Sequence, residues 1–244
     1  MSYNTGPKIV TDGLVMLVDP SDNNCWDGSS STIVDLASGL LLTKGANTVA
    51  GSYNGNRIFA ASADSGTLDT GYRYGSATSK VVDSAGSWTI SGWIYKEVSS
   101  PNNWWHIYTD GNSGDILTIY NVSPYVFRTS MNSPTYGGVF STGSDITDYG
   151  TDWNELPNGW NNIVVVYNQS SSYLQMYINT VAQPQQTGRV INTSYRLRNF
   201  YGWGSAQASY HADLDHSHTS VYSKVLSLSE ITKNYNALKG RFGL

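Results

Sequence analysis

The stretch Ser87-Trp88-Thr89-Ile90-Ser91-Gly92-Trp93-Ile94-Tyr95 alternates residue by residue. Trp88, Ile90 and Ile94 fall on one side with Gly92 between them; Ser87, Thr89, Ser91, Trp93 and Tyr95 fall on the other. A period of two is that of a strand, and this pattern predicts a strand with one apolar face. Downstream, Ile163-Val164-Val165-Val166-Tyr167 is a β-branched run that reads as a buried strand. Tyr173-Leu174-Gln175-Met176-Tyr177-Ile178 follows after the turn-rich Asn168-Gln169-Ser170-Ser171-Ser172, so the two runs predict an antiparallel hairpin with a five-residue loop. Further strands are expected at 13–18, 115–121, 125–130, 189–192 and 221–223, punctuated by Gly, Asn, Ser and Pro.

One segment reads as a helix, over 227–238. Ser227 and Glu230 have capping-box spacing; Leu228, Ile231, Tyr235 and Leu238 then recur at helical intervals, and Gly240 offers a stop. The stretch 136–157 is polar and weakly patterned, and reads as a long loop or an edge excursion.

Composition agrees with a β protein. The chain has 244 residues, within the range of one all-β sandwich. Charged residues are only 13% and aromatics another 13%, while Ser, Thr and Asn number 33, 21 and 21. Strands and turns favour that mixture; a helical bundle would need more Glu, Lys, Ala and Leu. The 14 Lys and Arg are thinly scattered and the net charge is -4, which argues against nucleic-acid binding. Cys25 is the single cysteine, so an internal disulfide or a cysteine-based zinc site is excluded. The longest apolar run, Ile163 to Tyr167, is far shorter than a membrane span, so no membrane insertion is expected. The N-terminus lacks the basic-then-apolar pattern of a signal peptide.

The ordered set of segments resembles a family. It opens with Gly13-Leu14-Val15-Met16-Leu17-Val18-Asp19 and Trp26, continues through Ser87–Ile94, Gly159-Trp160-Asn161-Asn162-Ile163 and Leu174–Asn179, and ends with Val221-Tyr222-Ser223-Lys224-Val225-Leu226-Ser227. This resembles a laminin-G-like, concanavalin A-like jelly roll. The closing run from Glu230 to Leu244 is similar to the tail of such domains in virion structural proteins of tailed phages, including cyanophages. The resemblance implies an all-β, two-sheet antiparallel jelly-roll sandwich over residues 13–244 with one short C-terminal helix. Residues 1–12 are then an N-terminal arm or an edge segment. The chain departs from the family at 212–220, where an apolar alternating strand is usual and His216-Ser217-His218-Thr219-Ser220 stands instead.

The fold is shared with glucanases, so hydrolysis is the first chemistry to weigh. A glycosidase flanks its bond with two carboxyl groups. The three Glu, Glu97, Glu155 and Glu230, are far apart in sequence, and Glu230 reads as part of a helix cap. Asp213 and Asp215 would share a strand face, as would His216 and His218, but a solvated face explains each pair. The expectation is that the chain is not an enzyme.

Calcium is the cation that laminin-G-like domains often carry at the rim. Asp110, Asn112 and Asp115 form the best local set of oxygen donors, and Asp19, Asp22, Asn23 and Asn24 a second; both are also ordinary turn composition. For a saccharide, aromatic rings that stack on sugar faces are the natural candidates. Trp104, Trp105, Tyr136, Tyr201 and Trp203 are the residues named for that role, against the alternative that Tyr and Trp merely fill core and rim.

The resemblance implies a virion structural protein on the particle surface, as capsid decoration, fibre or tail appendage. It would assemble in the host cytoplasm with other virion proteins, as a symmetric homo-oligomer, a trimer by analogy with phage appendages. A host-surface glycan is the expected class of ligand in host attachment. The alternative is a stand-alone bacterial carbohydrate-binding module or lectin, and after it a glycoside hydrolase of the same fold.

Overall fold

The computed structural model describes residues 8–61, 71–74, 81, 86–97, 105–109, 115–119, 126–130, 140–142, 146–152, 156–188, 190–191, 199–201 and 214–244; for 61, 74, the strands within 105–152, 190–191 and 199 the description is of backbone alone. In chain order the strands begin with β1 (Leu14–Val18), β2 (Thr32–Val34), β3 (Leu41–Lys44), β4 (Thr48–Tyr53), β5 (Asn56–Ala61), β6 (Tyr72–Tyr74) and β7 (Trp88–Lys96). Next come β8 (Trp105–Thr109), β9 (Asp115–Ile119), β10 (Val126–Ser130), β11 (Phe140–Thr142), β12 (Ile146–Asp152) and β13 (Gly159–Asn168). The last are β14 (Tyr173–Ile178), β15 (Val181–Ala182), β16 (Gln186–Thr187), β17 (Val190–Ile191), β18 (Asn199–Phe200) and β19 (His216–Tyr222). A helix, α1 (Leu228–Leu238), and a 3₁₀ turn over Lys239–Phe242 close the chain.

Two antiparallel sheets form the sandwich. The first has nine strands in the order β15-β14-β13-β7-β19-β5-β4, with β1 also on β19 and β16 also on β14. The second has eight, in the order β12-β10-β9-β8-β18-β6-β3-β2, and β11 pairs with β17 apart from both. This is the all-β, two-sheet antiparallel sandwich with one short C-terminal helix that the resemblance implies. The hairpin at 163–178 is present in the expected register, Ile163 opposite Ile178 and Asn168 opposite Tyr173.

The inter-sheet core takes alternate residues from both sheets. Trp88, Ile90 and Ile94 of β7 meet Ile163, Val165 and Tyr167 of β13 and, from the second sheet, Ile33, Leu42, Tyr72 and Phe200. The opposite face of β7 is covered as well. Trp93 is fully buried, with the Phe242 ring stacked 4.3 Å and the Tyr235 ring 5.5 Å from its own. The expectation of one apolar face is corrected here: helix and 3₁₀ turn form a third layer, so β7 and β13 are buried on both sides, as continuous apolar runs require.

The N-terminal segment joins that layer. The Val10 N–H donates to Asn234 Oδ1 (2.7 Å), Asn234 Nδ2 donates to Tyr222 Oη (3.0 Å), and the Tyr222 hydroxyl donates to Val10 O (3.1 Å). Residues 8–12 of the expected arm therefore pack on the chain's own domain; residues 1–7 lie outside the described residues.

Within the departure at 212–220, residues 216–220 belong to β19, an inner strand of the nine-stranded sheet. β19 lies between β7 and β5 and is buried at every position. A bulge between Ser217 and Ser220 inserts one extra residue against β7. It also separates the two histidines, which do not share a face. His216 enters the core, its ring 3.9 Å from that of Tyr201 and 5.1 Å from Phe59. His218 lies beside Asp19 and Arg241 on the helix side. In the stretch 136–157, read as a loop or an edge excursion, the structure has two strands: β11, and β12 as the edge of the eight-stranded sheet.

Candidate functional site

β1 runs straight into the loop 19–24, which is built from short polar side chains bonding their own backbone. Asp19 Oδ1 accepts the Ser21 N–H (3.0 Å) and Asp22 Oδ1 accepts the Asn24 N–H (2.8 Å). Such bonds replace a regular ladder with a turn. Arg57 on β5 reaches across it, donating to Pro20 O (3.1 Å), to Trp26 O and to Asn23 Oδ1 (3.0 Å). From the other end of the chain, Arg241 Nη1 donates to Asp19 Oδ2 at 2.5 Å.

Both Asp19 oxygens are thus engaged, and the residue is nearly buried. Burial alone raises its pKa; His218, Arg241 and the Ser21 amide outweigh that and hold the carboxyl below its usual range. Burial pushes the His218 pKa down, against the Asp19 carboxylate nearby, which raises it. The Cys25 thiol accepts the Asp19 N–H at 3.3 Å, and burial pushes its pKa up to about 12, which removes it as a nucleophile.

Between this loop, residues 8–11, β19 and the C-terminal helix lies a pocket of about 760 Å³. Buried His218 and Leu238 line it together with exposed Lys8, Asn23 and Asn24 and half-exposed Arg241. The loop 19–24, read from sequence as a possible calcium cluster or a turn, is a turn whose buried carboxylate is paired with a guanidinium. Among the described residues no group of three His, Cys, Asp or Glu side chains converges on a point that would hold a metal.

The residues named for saccharide binding separate. Tyr201 is corrected to a core residue: it is fully buried, its hydroxyl lies 3.0 Å from Thr219 Oγ1, and its ring stacks on His216. No sugar face reaches it. Trp105 opens β8, in the eight-stranded sheet, and its side chain lies outside the description, as do Trp104, Tyr136 and Trp203 entirely. Of the first calcium set, Asp115 opens β9, paired across from Thr109, while Asp110 and Asn112 lie outside the described residues. Of the carboxylates weighed for hydrolysis, Glu230 is engaged by its own helix cap and by Lys224 (2.8 Å). Glu97 is exposed at the end of β7, and Glu155 and Asp213 are not described.

Sequence reasoning found the loop 19–24 but not Arg241 and His218 beside it. Arg241 is 222 positions from Asp19, and no local pattern signals a contact of that range.

No family model matches the chain, and no curated protein matches it. Solved structures do match in shape. Trypanosoma rangeli sialidase in complex with 2,3-difluorosialic acid has a TM-score of 0.63 at 13% identity, over 96% of this chain and 34% of that one. The binding domain of Paraclostridial Mosquitocidal Protein 1 has a TM-score of 0.61 at 13% identity, over 91% of this chain and 52% of that one. A structure designated HCR/D-Sa-GBL1/C has a TM-score of 0.63 at 16% identity, over 93% and 52%. The chain spans about a third of the sialidase and about half of the other two. At such identities the likeness is one of fold: this chain shares with them a two-sheet antiparallel β-sandwich.

Proposed function

We propose that the chain is a non-enzymatic binding module displayed on a phage virion, with a host-surface saccharide as ligand. The observation that carries the binding role is the asymmetry of the two sheets. The nine-stranded sheet has its outer face covered by the N-terminal segment, α1 and the 3₁₀ turn. On the eight-stranded sheet the outward side chains of β2 and β3, Thr32, Leu41 and Thr43, are exposed. A sheet with one open face is where a sandwich can receive an extended ligand. That sheet carries Trp105, one of the aromatic candidates. The likeness in fold to a sialidase and to a binding domain is consistent with this reading, and the tail from Glu230 to Leu244 supports the virion role through its resemblance to phage structural proteins.

The absence of hydrolysis is part of the proposal, supported by the engagement of Glu230 in the helix cap. Assembly as a trimer with other virion proteins is proposed on the same resemblance.

The test has two arms. Titration of the full chain with host-surface polysaccharide should quench Trp fluorescence saturably, with Trp105→Ala weakening the effect and no reducing ends released. Mass spectrometry of purified particles of the encoding phage should find the chain. Release of reducing ends would overturn the non-enzymatic reading. Absence from the particles would overturn the virion role.

A further inference from the structure

We infer that the pocket beside the loop 19–24 is a second ligand site, which takes a single uncharged, hydroxyl-rich ring: a neutral monosaccharide unit. The inference does not depend on the open-sheet reading, because it uses none of the residues of that sheet.

Size comes first. A volume of about 760 Å³ lies within the roughly 300–1,000 Å³ range of small-molecule pockets. Charge then narrows the class. Lys8 and Arg241 face Asp19 and Asp22 in the lining, so the formal charges cancel, and the Arg241 charge is already matched by Asp19. A phosphate finds no surplus of positive charge here, and a metal ion meets a guanidinium where it would need carboxylates.

Unused hydrogen-bonding capacity defines what remains. Arg241 has five N–H donors and directs Nη1 at Asp19. Asn23 uses its Oδ1 on Arg57, which leaves the amide NH₂. Asn56 uses its Nδ2 on Asn54 O, which leaves Oδ1. The Asn24 side chain is exposed at the rim, with no partner among the described residues, and buried His218 has a Nδ1 without one. Amides that offer donors and acceptors side by side match hydroxyl groups, each of which is both donor and acceptor. Leu17, Ala237 and Leu238 add an apolar strip against which the C–H face of a sugar ring can lie.

The site is also pre-formed. Its polar groups sit on a loop held by Arg57 and by its own turns, and on a 3₁₀ turn held by the Asp19–Arg241 pair. Little ordering entropy is lost when a ligand enters such a pocket.

The experiment is an amide-resolved NMR titration of the full chain with D-glucose, D-galactose, D-mannose and N-acetyl-D-glucosamine, each singly, with inorganic phosphate and calcium chloride as charged controls. At least one sugar should shift the amides of Asn23, Asn24, Asn56 and Arg241 saturably. The double variant Asn24→Ala, Asn56→Ala should weaken that sugar by about tenfold or more, the effect of losing two hydrogen bonds. Ala237→Phe, which fills the pocket from the helix, should abolish the shifts while the rest of the spectrum stays folded. If no sugar moves these amides, or if only phosphate or calcium does, the inference is overturned. Saccharide binding that is lost in Trp105→Ala but kept in the double variant would overturn it too and leave the open-sheet reading standing.

Discussion

His216 lies between the faces of Tyr201 and Phe59, with Nδ1 3.1 Å from Leu214 O. An imidazole in the unfolded chain titrates near 6.5. In the fold, burial pushes His216 down to about 3. As pH falls the unfolded state therefore binds the proton first, and stability declines from about pH 6.5 toward about pH 3, by up to about 1.4 kcal/mol per unit. His218 is shifted in the same direction and adds to the decline. His216→Phe keeps a flat ring in the stack and removes one titrating group. Its urea midpoint should fall less steeply with acid than that of the wild type; equal slopes would show that His216 carries none of the effect. Gly71 is decisive for another reason. A Cβ there would lie 1.8 Å from Phe200 O and 2.6 Å from Tyr201 O, both backbone atoms that cannot move without breaking β18 from β6. Gly71→Ala should cost more than about 3 kcal/mol, in the exceptional range for one methyl group. A thermal melt within a few degrees of wild type would refute the close approach. Neither residue announces itself in sequence: one histidine among Ser and Thr reads as surface, and a glycine between polar neighbours reads as a turn.

At the scale of elements, legibility follows periodicity. β7, β14 and α1 were readable because their apolar residues recur periodically, and β13 because of its β-branched run; the bounds of β7, β14 and α1 match to within a residue or two, whereas β13 begins four residues before Ile163. β19 was not, because most of its buried side chains are polar: Thr219 Oγ1 meets Tyr201 Oη, His216 and His218 are buried beside it, and the backbone is paired on β7, β5 and β1. Strands of two or three residues, such as β2, β6 and β18, are too short for any period. The helix keeps its expected bounds, and the difference lies in its buried face. Leu228 is exposed, and its place on the buried side goes to Asn234. The helix stops at Leu238 as expected, and the 3₁₀ turn that follows ends at Gly243, whose φ of 77° suits glycine. The start is as predicted: Ser227 Oγ accepts the Glu230 N–H (3.3 Å), and Glu230 Oε2 accepts the Ser227 N–H (2.9 Å). Ser227→Ala should lower stability by about 1 kcal/mol, the usual effect of losing an N-cap. Unchanged stability in calorimetry would mean that tertiary packing alone holds the first turn.

Across the whole molecule the notable feature is three layers where a plain sandwich has two. The outer face of the nine-stranded sheet is lined by Val164, Val166, Trp93 and Trp160, residues that no solvent-facing sheet carries in such density. What covers them comes from both chain ends: Val10 on one side, and Ile231, Leu238 and Phe242 on the other. Burial of each large apolar side chain is worth about 1.5–3 kcal/mol, so the last 17 residues contribute far beyond their own marginal helix propensity. They also set the candidate pocket, since Arg241 closes on Asp19 only when the 3₁₀ turn is seated. A chain truncated after Ser227 should keep its β-rich far-ultraviolet spectrum in part but bind an apolar dye and associate. The full-length double variant Ile231→Asp, Leu238→Asp should do the same without loss of chain. The open eight-stranded sheet should stay as it is in both, because its packing runs through the inter-sheet core. A truncated chain that stays monomeric, binds no dye and melts at the wild-type temperature would show that the covering layer is dispensable, and with it the argument that directs ligands to the opposite sheet.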